Sequence, residues 1–253
     1  MPLPALLAVT ALAGAASLSG RAQAGSRARM TKAQAVELLR AGDYATLLRL
    51  SGGKRVGLAG ADLSGLHLWE VDLPKANLKR ANLQHTSLIL AKLTGASLVE
   101  ADLRYAEIES AELIRADLSR ANLSYAKVPE SNLSKVKLVG ANLSGANLIG
   151  TVLTEADLSG ANLTEADLFY TDLVGANLAG ACLVRASFDD AKLTNANLSG
   201  ANLTDASFQG AHLPEGFLLP GTPLNAVPWR GVPAGWQAVA SPRGARFTPI
   251  LKT

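Results

Sequence analysis

Histidine, cysteine and carboxylate side chains are the materials of acid–base, nucleophilic and metal chemistry, and this sequence spaces them poorly for all three. Its three histidines, His67, His85 and His212, fall at separated points of the chain. Cys182 is alone, which excludes a disulfide framework and a cysteine zinc site. The 21 Asp and Glu residues are scattered, and no glycine-rich phosphate loop or nucleophile elbow accompanies them. The expectation is a chain that is not an enzyme, with no catalytic residue, cofactor or metal ligand. Binding chemistry is what remains. Two sets of residues suit it: Trp69, Ile89, Leu90, Ile149, Phe169 and Tyr170, which are large and apolar, and Asp157, Asp167, Asp172, Asp189, Asp190 and Asp205, which are acidic. Either set has meaning only through the elements that position it.

Those elements come from a period. Stepping by five from Leu58 to Leu213 gives 32 positions, all apolar: Leu throughout except Ile108, Val128, Phe188 and Phe208. Neither a helix nor a long strand puts residues five apart on one side, so the period describes a chain that turns a corner every five residues. Two residues before each centre stands Ala in most repeats and otherwise Val, Leu, Thr or Ser, and directly before it stands most often Asp or Asn. In a short extended segment these first and third residues share a side, and here both face inward, with Ala leaving room for Leu. Gly occupies the second place after the centre in 11 repeats, where a type II turn needs a positive φ. Repeats with Glu, Arg, Tyr or Lys there are expected to use another turn.

The departures from consensus set the number of sides. The four non-Leu centres are separated by 20, 60 and 20 residues, and Ser131, Thr151 and Thr171 at the small position follow one another by 20. Stacking like on like therefore takes four pentapeptides per coil and about eight coils, a rod of about 38 Å at the spacing of neighbouring strands. The apolar set then lies on one column, centred at 68 through 208, with all six side chains outward. The column centred at 63 through 203 is the opposite kind of surface, with Ala at every small position and mostly Asn, Asp, Ser and Thr outside.

Runs such as ADLSG at 61–65, ANLKR at 76–80, ADLSR at 116–120, ANLSGANLIG at 141–150 and ADLSGANLTEADL at 156–168 resemble the pentapeptide repeat family, whose consensus is A(D/N)LXX. The resemblance covers residues 56–213. It implies an all-β solenoid, a right-handed quadrilateral β-helix, often preceded by a helical lead-in. For function it implies little, since most members have no assigned activity. A minority resemble DNA in shape and charge and act on type II topoisomerases.

The flanks differ from the coil. Residues 1–29 hold an apolar stretch and the pattern Ala22-Gln23-Ala24, which read as a signal peptide; the alternative is a mis-assigned leader with the true start at Met30. Localisation divides accordingly: exported to a periplasm, lumen or exterior, or cytoplasmic. No apolar run suits a membrane span. Residues 30–55 read as a helical N-terminal cap: Thr31 and Gln34 form a capping box, Gly42-Asp43 marks a break, and Leu38, Leu39, Leu47 and Leu48 make an apolar side. Residues 214–253 hold seven of the chain's 11 prolines, which end the ladder, and Trp229 and Trp236 are expected to seal the lower end.

Charge separates the functional readings. Basic against acidic residues number 8 and 2 over 1–55, 12 and 18 over 56–213, and 4 and 1 over 214–253. The coil is thus acidic, most of all in 136–213, which has 3 basic and 8 acidic residues. The leading expectation is a non-enzymatic interaction or structural scaffold using the apolar column, with an unidentified protein partner or self-association and no direct nucleic-acid binding. The alternative is a DNA-mimicking modulator of a type II topoisomerase, using the acidic set.

The period generates a test. Inserting five residues between coils keeps every later Leu inside, whereas inserting one turns them outward at about 1.5–3 kcal/mol each. Circular dichroism and thermal melting should show a folded five-residue variant and an unfolded one-residue variant. Equal damage from both contradicts the repeat.

Overall fold

One repeat finds a partner for each of its five backbone N–H donors, and this explains its consensus. In the repeat around Leu158, the Leu158 N–H donates to Asn177 O of the next coil at 2.7 Å, and Gly160 N–H to Ala179 O at 2.9 Å. The Ala161 N–H closes the turn on Leu158 O at 3.0 Å, and Asn162 N–H donates back to Ala141 O at 2.9 Å. The fifth donor, Ser159 N–H, takes the Asp157 side chain at 3.1 Å. Asp or Asn before the centre is thus the acceptor that a turn N–H would otherwise lack.

The computed structural model describes residues 30–52 and 55–213, with the backbone of 236–239 and 246–249. Parallel bridges join each residue before a centre to the one 20 further on, from Gly57↔Asn77 to Lys192↔His212. Four pentapeptides therefore make one coil. The centres from Leu58 to Leu193 are buried, and Leu198 and Leu203 of the last coil are partly buried. The four stacked faces are named by their centres: the first 58–198, the second 63–203, the third 68–208 and the fourth 73–213.

The turns correct one expectation. All 31 residues at the second place after a centre, from Gly60 to Gly210, have a positive φ, and 20 of them are not glycine. Glu70 (φ 54), Tyr105 (φ 57) and Lys135 (φ 58) adopt the same left-handed backbone as Gly160 (φ 63); they do not use another turn. A non-glycine residue held there costs on the order of 1 kcal/mol. The ladder fixes the conformation because this residue's N–H is one of its rungs, as in Glu70 N–H to Ile89 O at 2.9 Å.

Two helices precede the coil: α1, Lys32–Arg40, and α2, Tyr44–Ser51. Thr31 and Gln34 form the expected capping box on α1, and the Asp43 side chain caps α2 through Thr46 N–H at 2.9 Å. That bond holds the Asp43 carboxyl below the usual carboxylate range. Ala35, Leu38, Leu39 and Leu47 join the same core as the coil's leucines, while Leu48 is exposed rather than inward. Two bonds tie the helices to the first coil: Lys32 Nζ to Ala59 O at 3.2 Å and Tyr44 Oη–H to His67 O at 3.1 Å. Beyond the coil, β1 (Trp236–Val239) pairs antiparallel with β2 (Arg246–Pro249). Residues 1–29, Trp229 and the side chain of Trp236, and with them the leader and the expected end seal, lie outside the described residues.

Two buried hydroxyls on the fourth face replace turn bonds beside the β-branched centres Ile108 and Val128, and a third adds a bond beside Leu148. Ser131 Oγ–H donates to Ile108 O and accepts from Ala111 N–H at 3.0 Å, replacing the direct turn bond. Thr151 Oγ1–H donates to Val128 O at 2.7 Å, and Thr171 Oγ1–H to Leu148 O at 2.9 Å. Leu148 O has a second donor, Thr151 N–H at 3.0 Å; Val128 O has only the threonine among the described hydrogen bonds. Thr151→Val should therefore lose about 1–3 kcal/mol, the cost of an unsatisfied buried acceptor, and Thr171→Val about 1 kcal/mol. Denaturant melts that reverse this order would refute the assignment.

Candidate interaction surface

The 20-residue register decides which side chains share a surface. Trp69, Ile89, Leu90, Ile149, Phe169 and Tyr170 all fall on the turns that follow third-face centres, so together they form a corner of the rod. Trp69 is 56% exposed, Leu90 47%, Phe169 37% and Tyr170 61%, and the two isoleucines are half-buried. Neither α1 nor α2 covers them. The column is not continuous: Glu109 and Ser110, then Pro129 and Glu130, interrupt it. It thus presents two clusters, Trp69 with Ile89 and Leu90, and Ile149 with Phe169 and Tyr170, four coils or about 19 Å apart.

Each cluster is braced by its neighbours. The Trp69 indole N–H donates to Ser87 Oγ at 2.5 Å, and the His67 ring meets Trp69 edge-on at 5.6 Å. Phe169 and Tyr170 pack edge-to-face at 4.7 Å, and Phe169 N–H is held by Asp167 at 3.1 Å. These side chains keep exposed apolar area in fixed positions, the arrangement a binding surface needs.

Sorting charge by face changes the picture given by the chain order. The third face carries Glu70, Glu109, Glu130, Asp189 and Asp190 on its corner and Glu107 and Asp167 on its flat. Lys127, paired with Glu107 at 3.1 Å, is its single cation. The coil's whole net charge of −6, from 12 basic and 18 acidic residues, therefore belongs to this face, and the other three balance to zero between them. On those faces vertical ion pairs are frequent: Arg80 and Arg120 flank Glu100 at 2.5 and 2.8 Å, and Lys135 meets Glu155 at 3.2 Å. The Arg80 hydrogen bond holds the Glu100 carboxyl below its usual range, and Arg104 does the same for Asp102.

The acidic set picked out in the sequence does not gather on one surface. Asp157 lies on the first face, Asp205 on the second, Asp172 on the fourth, and Asp167, Asp189 and Asp190 on the third. Several are occupied as turn acceptors, Asp157 for Ser159 N–H and Asp172 for Val174 N–H, both at 3.1 Å. His67, His85 and His212 lie on the third, second and fourth faces. Among the described residues no group of three His, Cys, Asp or Glu could hold a metal, and no helix is long and apolar enough to cross a membrane.

An aromatic ladder runs along the second-face corner, in which the stacking of Tyr105 on Tyr125 was expected from the sequence and the addition of His85 was not. His85 stacks on Tyr105 at 5.1 Å and Tyr105 on Tyr125 at 5.5 Å, with planes within 7°. The Tyr125 ring lies over Gly145, where a Cβ would meet it at 2.6 Å. The ladder covers its own ring faces and so braces the corner. The 20-residue spacing of the two tyrosines was the available signal.

Comparison with known proteins bears on family. The family profile described as Pentapeptide repeats matches in 8 copies, over 58–95, 96–134, 131–168 and 171–210, together more than half of the chain. No curated protein matches. Among solved structures, the chain is similar to HetL, a pentapeptide repeat protein involved in heterocyst differentiation regulation from Nostoc sp. strain PCC 7120, at 28% identity and TM-score 0.46, covering 68% of this chain and 97% of that one. Rfr23 from the cyanobacterium Cyanothece 51142 matches at 26% identity and TM-score 0.32, over 69% of this chain and 95% of that one. QnrB1, a plasmid-mediated fluoroquinolone resistance protein, matches at 17% identity and TM-score 0.39, over 64% and 83%.

Proposed function

The chain belongs to the pentapeptide repeat family, and from that premise we propose that it is a non-enzymatic scaffold that binds a protein partner through the third-face corner. In this reading the solenoid is a right-handed rod of about eight coils, closed at its start by α1 and α2, whose role is to hold side chains at fixed spacings. The observation that carries it is the pairing of two braced apolar clusters with all of the coil's net negative charge on one of four faces. Apolar anchors supply affinity by leaving water, and the surrounding carboxylates restrict which partners approach.

The topoisomerase reading asks the same rod to replace duplex DNA. A net charge of −6 stands against about 22 phosphates over about 38 Å of duplex. Apolar side chains also break the acidic corner where a phosphate mimic would continue it. The geometry suits a polypeptide partner better.

Replacing Ile149 and Phe169 by Glu tests the proposal, since both side chains lie on turns outside the leucine core. Partner capture from the native source, or self-association measured by sedimentation, should fall below detection while the thermal melt stays unchanged. Full binding by a folded double variant would remove this face from consideration.

A further inference from the structure

The third face is acidic and apolar, and the same chain contains a segment of the opposite character. Residues 229–253 hold Arg230, Arg243, Arg246 and Lys252 with no acidic residue, and they include Trp229, Trp236 and Phe247. Cation and aromatic ring are adjacent twice, in Trp229-Arg230 and Arg246-Phe247. The corner shows the complementary order along the rod: apolar with Glu70 at 69–90, acidic at 109–130, apolar at 149–170, acidic at 189–190. The other faces are weaker in charge, the first and fourth at +1 each and the second at −2, and none of them carries the paired apolar clusters.

Reach does not limit the match. The coil ends at Leu213, on the face adjoining the third-face corner. Residues 214–228, which carry no cation, span up to about 50 Å when extended. That exceeds the rod's length of about 38 Å, so every part of the corner is within range of the basic segment.

We propose that residues 229–253 dock in cis on the third-face corner, with their arginines and lysine against Glu109, Glu130 and Asp190 and their aromatic side chains against the two apolar clusters. The inference rests on the reading of that corner as the partner surface. It adds a regulator: the basic segment occupies the surface until a partner displaces it, and such a partner must itself bring basic and apolar groups.

Hydrogen exchange on the full chain, read by mass spectrometry, tests this. Exchange in 229–253 should be about tenfold faster in the Glu109→Gln, Glu130→Gln, Asp190→Asn variant than in the wild type, the sum expected of three exposed ion pairs. High salt should produce the same release in the wild type. Neutralising Glu155 and Asp172 on other faces should leave exchange unchanged, and unaltered exchange over 56–213 shows that each variant is folded. Carbodiimide coupling should join Lys252 to third-face carboxylates within one chain, independently of protein concentration.

Four results overturn the proposal. They are no change on neutralisation, protection that depends on the last coil alone, protection that rises with concentration as for a second copy, or release of residues 1–29 instead. None of these touches the Ile149 and Phe169 experiment, so the partner surface can stand if the docked segment falls. Conversely, if charging those two residues leaves partner binding intact while 229–253 is still released, the segment docks but does not regulate.

Discussion

Everything in this molecule depends on the parallel hydrogen-bond ladder that joins each coil to the next at a step of 20 residues. In a consensus repeat the ladder takes the backbone donors, apart from the one that closes the turn and the one taken by Asp or Asn. It also keeps the leucine column inside. Neither part stands alone: without the ladder the turns have no reason to hold a left-handed residue, and without the leucines the coils gain nothing by stacking. A solenoid of this kind gains stability by neighbour contacts rather than by a large globular core, which is why 5% aromatic content suffices.

The ladder also makes surface chemistry periodic. Residues 20 apart become vertical neighbours, so the amide ladder of Asn82 on Asp62, at 2.9 Å, and Asn142 on Asn122, at 3.2 Å, arises from sequence spacing alone. The ion pairs of Glu100 with Arg80 and Arg120 have the same origin. Third-face residues depart from this rule: apart from the Lys127–Glu107 pair, they collect carboxylates without a cation of their own face beside them, and apolar groups on the turns. That asymmetry is what a binding surface requires and what ladder stability alone does not explain.

Much of this was legible from residue types and spacing. Leucine at intervals of five predicted the inward column, the displaced Ile108, Val128, Phe188 and Phe208 predicted the 20-residue coil, and Thr31 with Gln34 predicted the start of α1. Three features were not. Non-glycine residues such as Leu90 share the glycine turn, because tertiary hydrogen bonds override local preference there. Ser131 and Thr151 replace turn bonds, which only the placement of a hydroxyl against the preceding coil's carbonyl reveals. The acidity looked like a property of the second half because it was counted along the chain; counted by position within the coil, it belongs to one face.

That sorting into faces stands or falls with the register of 20, and Cys182 provides a direct probe of it. Cys182 stacks between Asn162 and Asn202, at the strand spacing of about 4.8 Å, which falls within the Cα separation a disulfide tolerates. Single cysteines introduced as Asn162→Cys, Asn202→Cys, Asp157→Cys and Asp167→Cys can each be oxidised in dilute solution and scored for an intramolecular bond. The register predicts bonds for the first two, 20 residues from Cys182, and none for the last two, 25 and 15 residues away. A bond formed preferentially at 157 or 167 would contradict the coil length and, with it, the assignment of any residue to the third face.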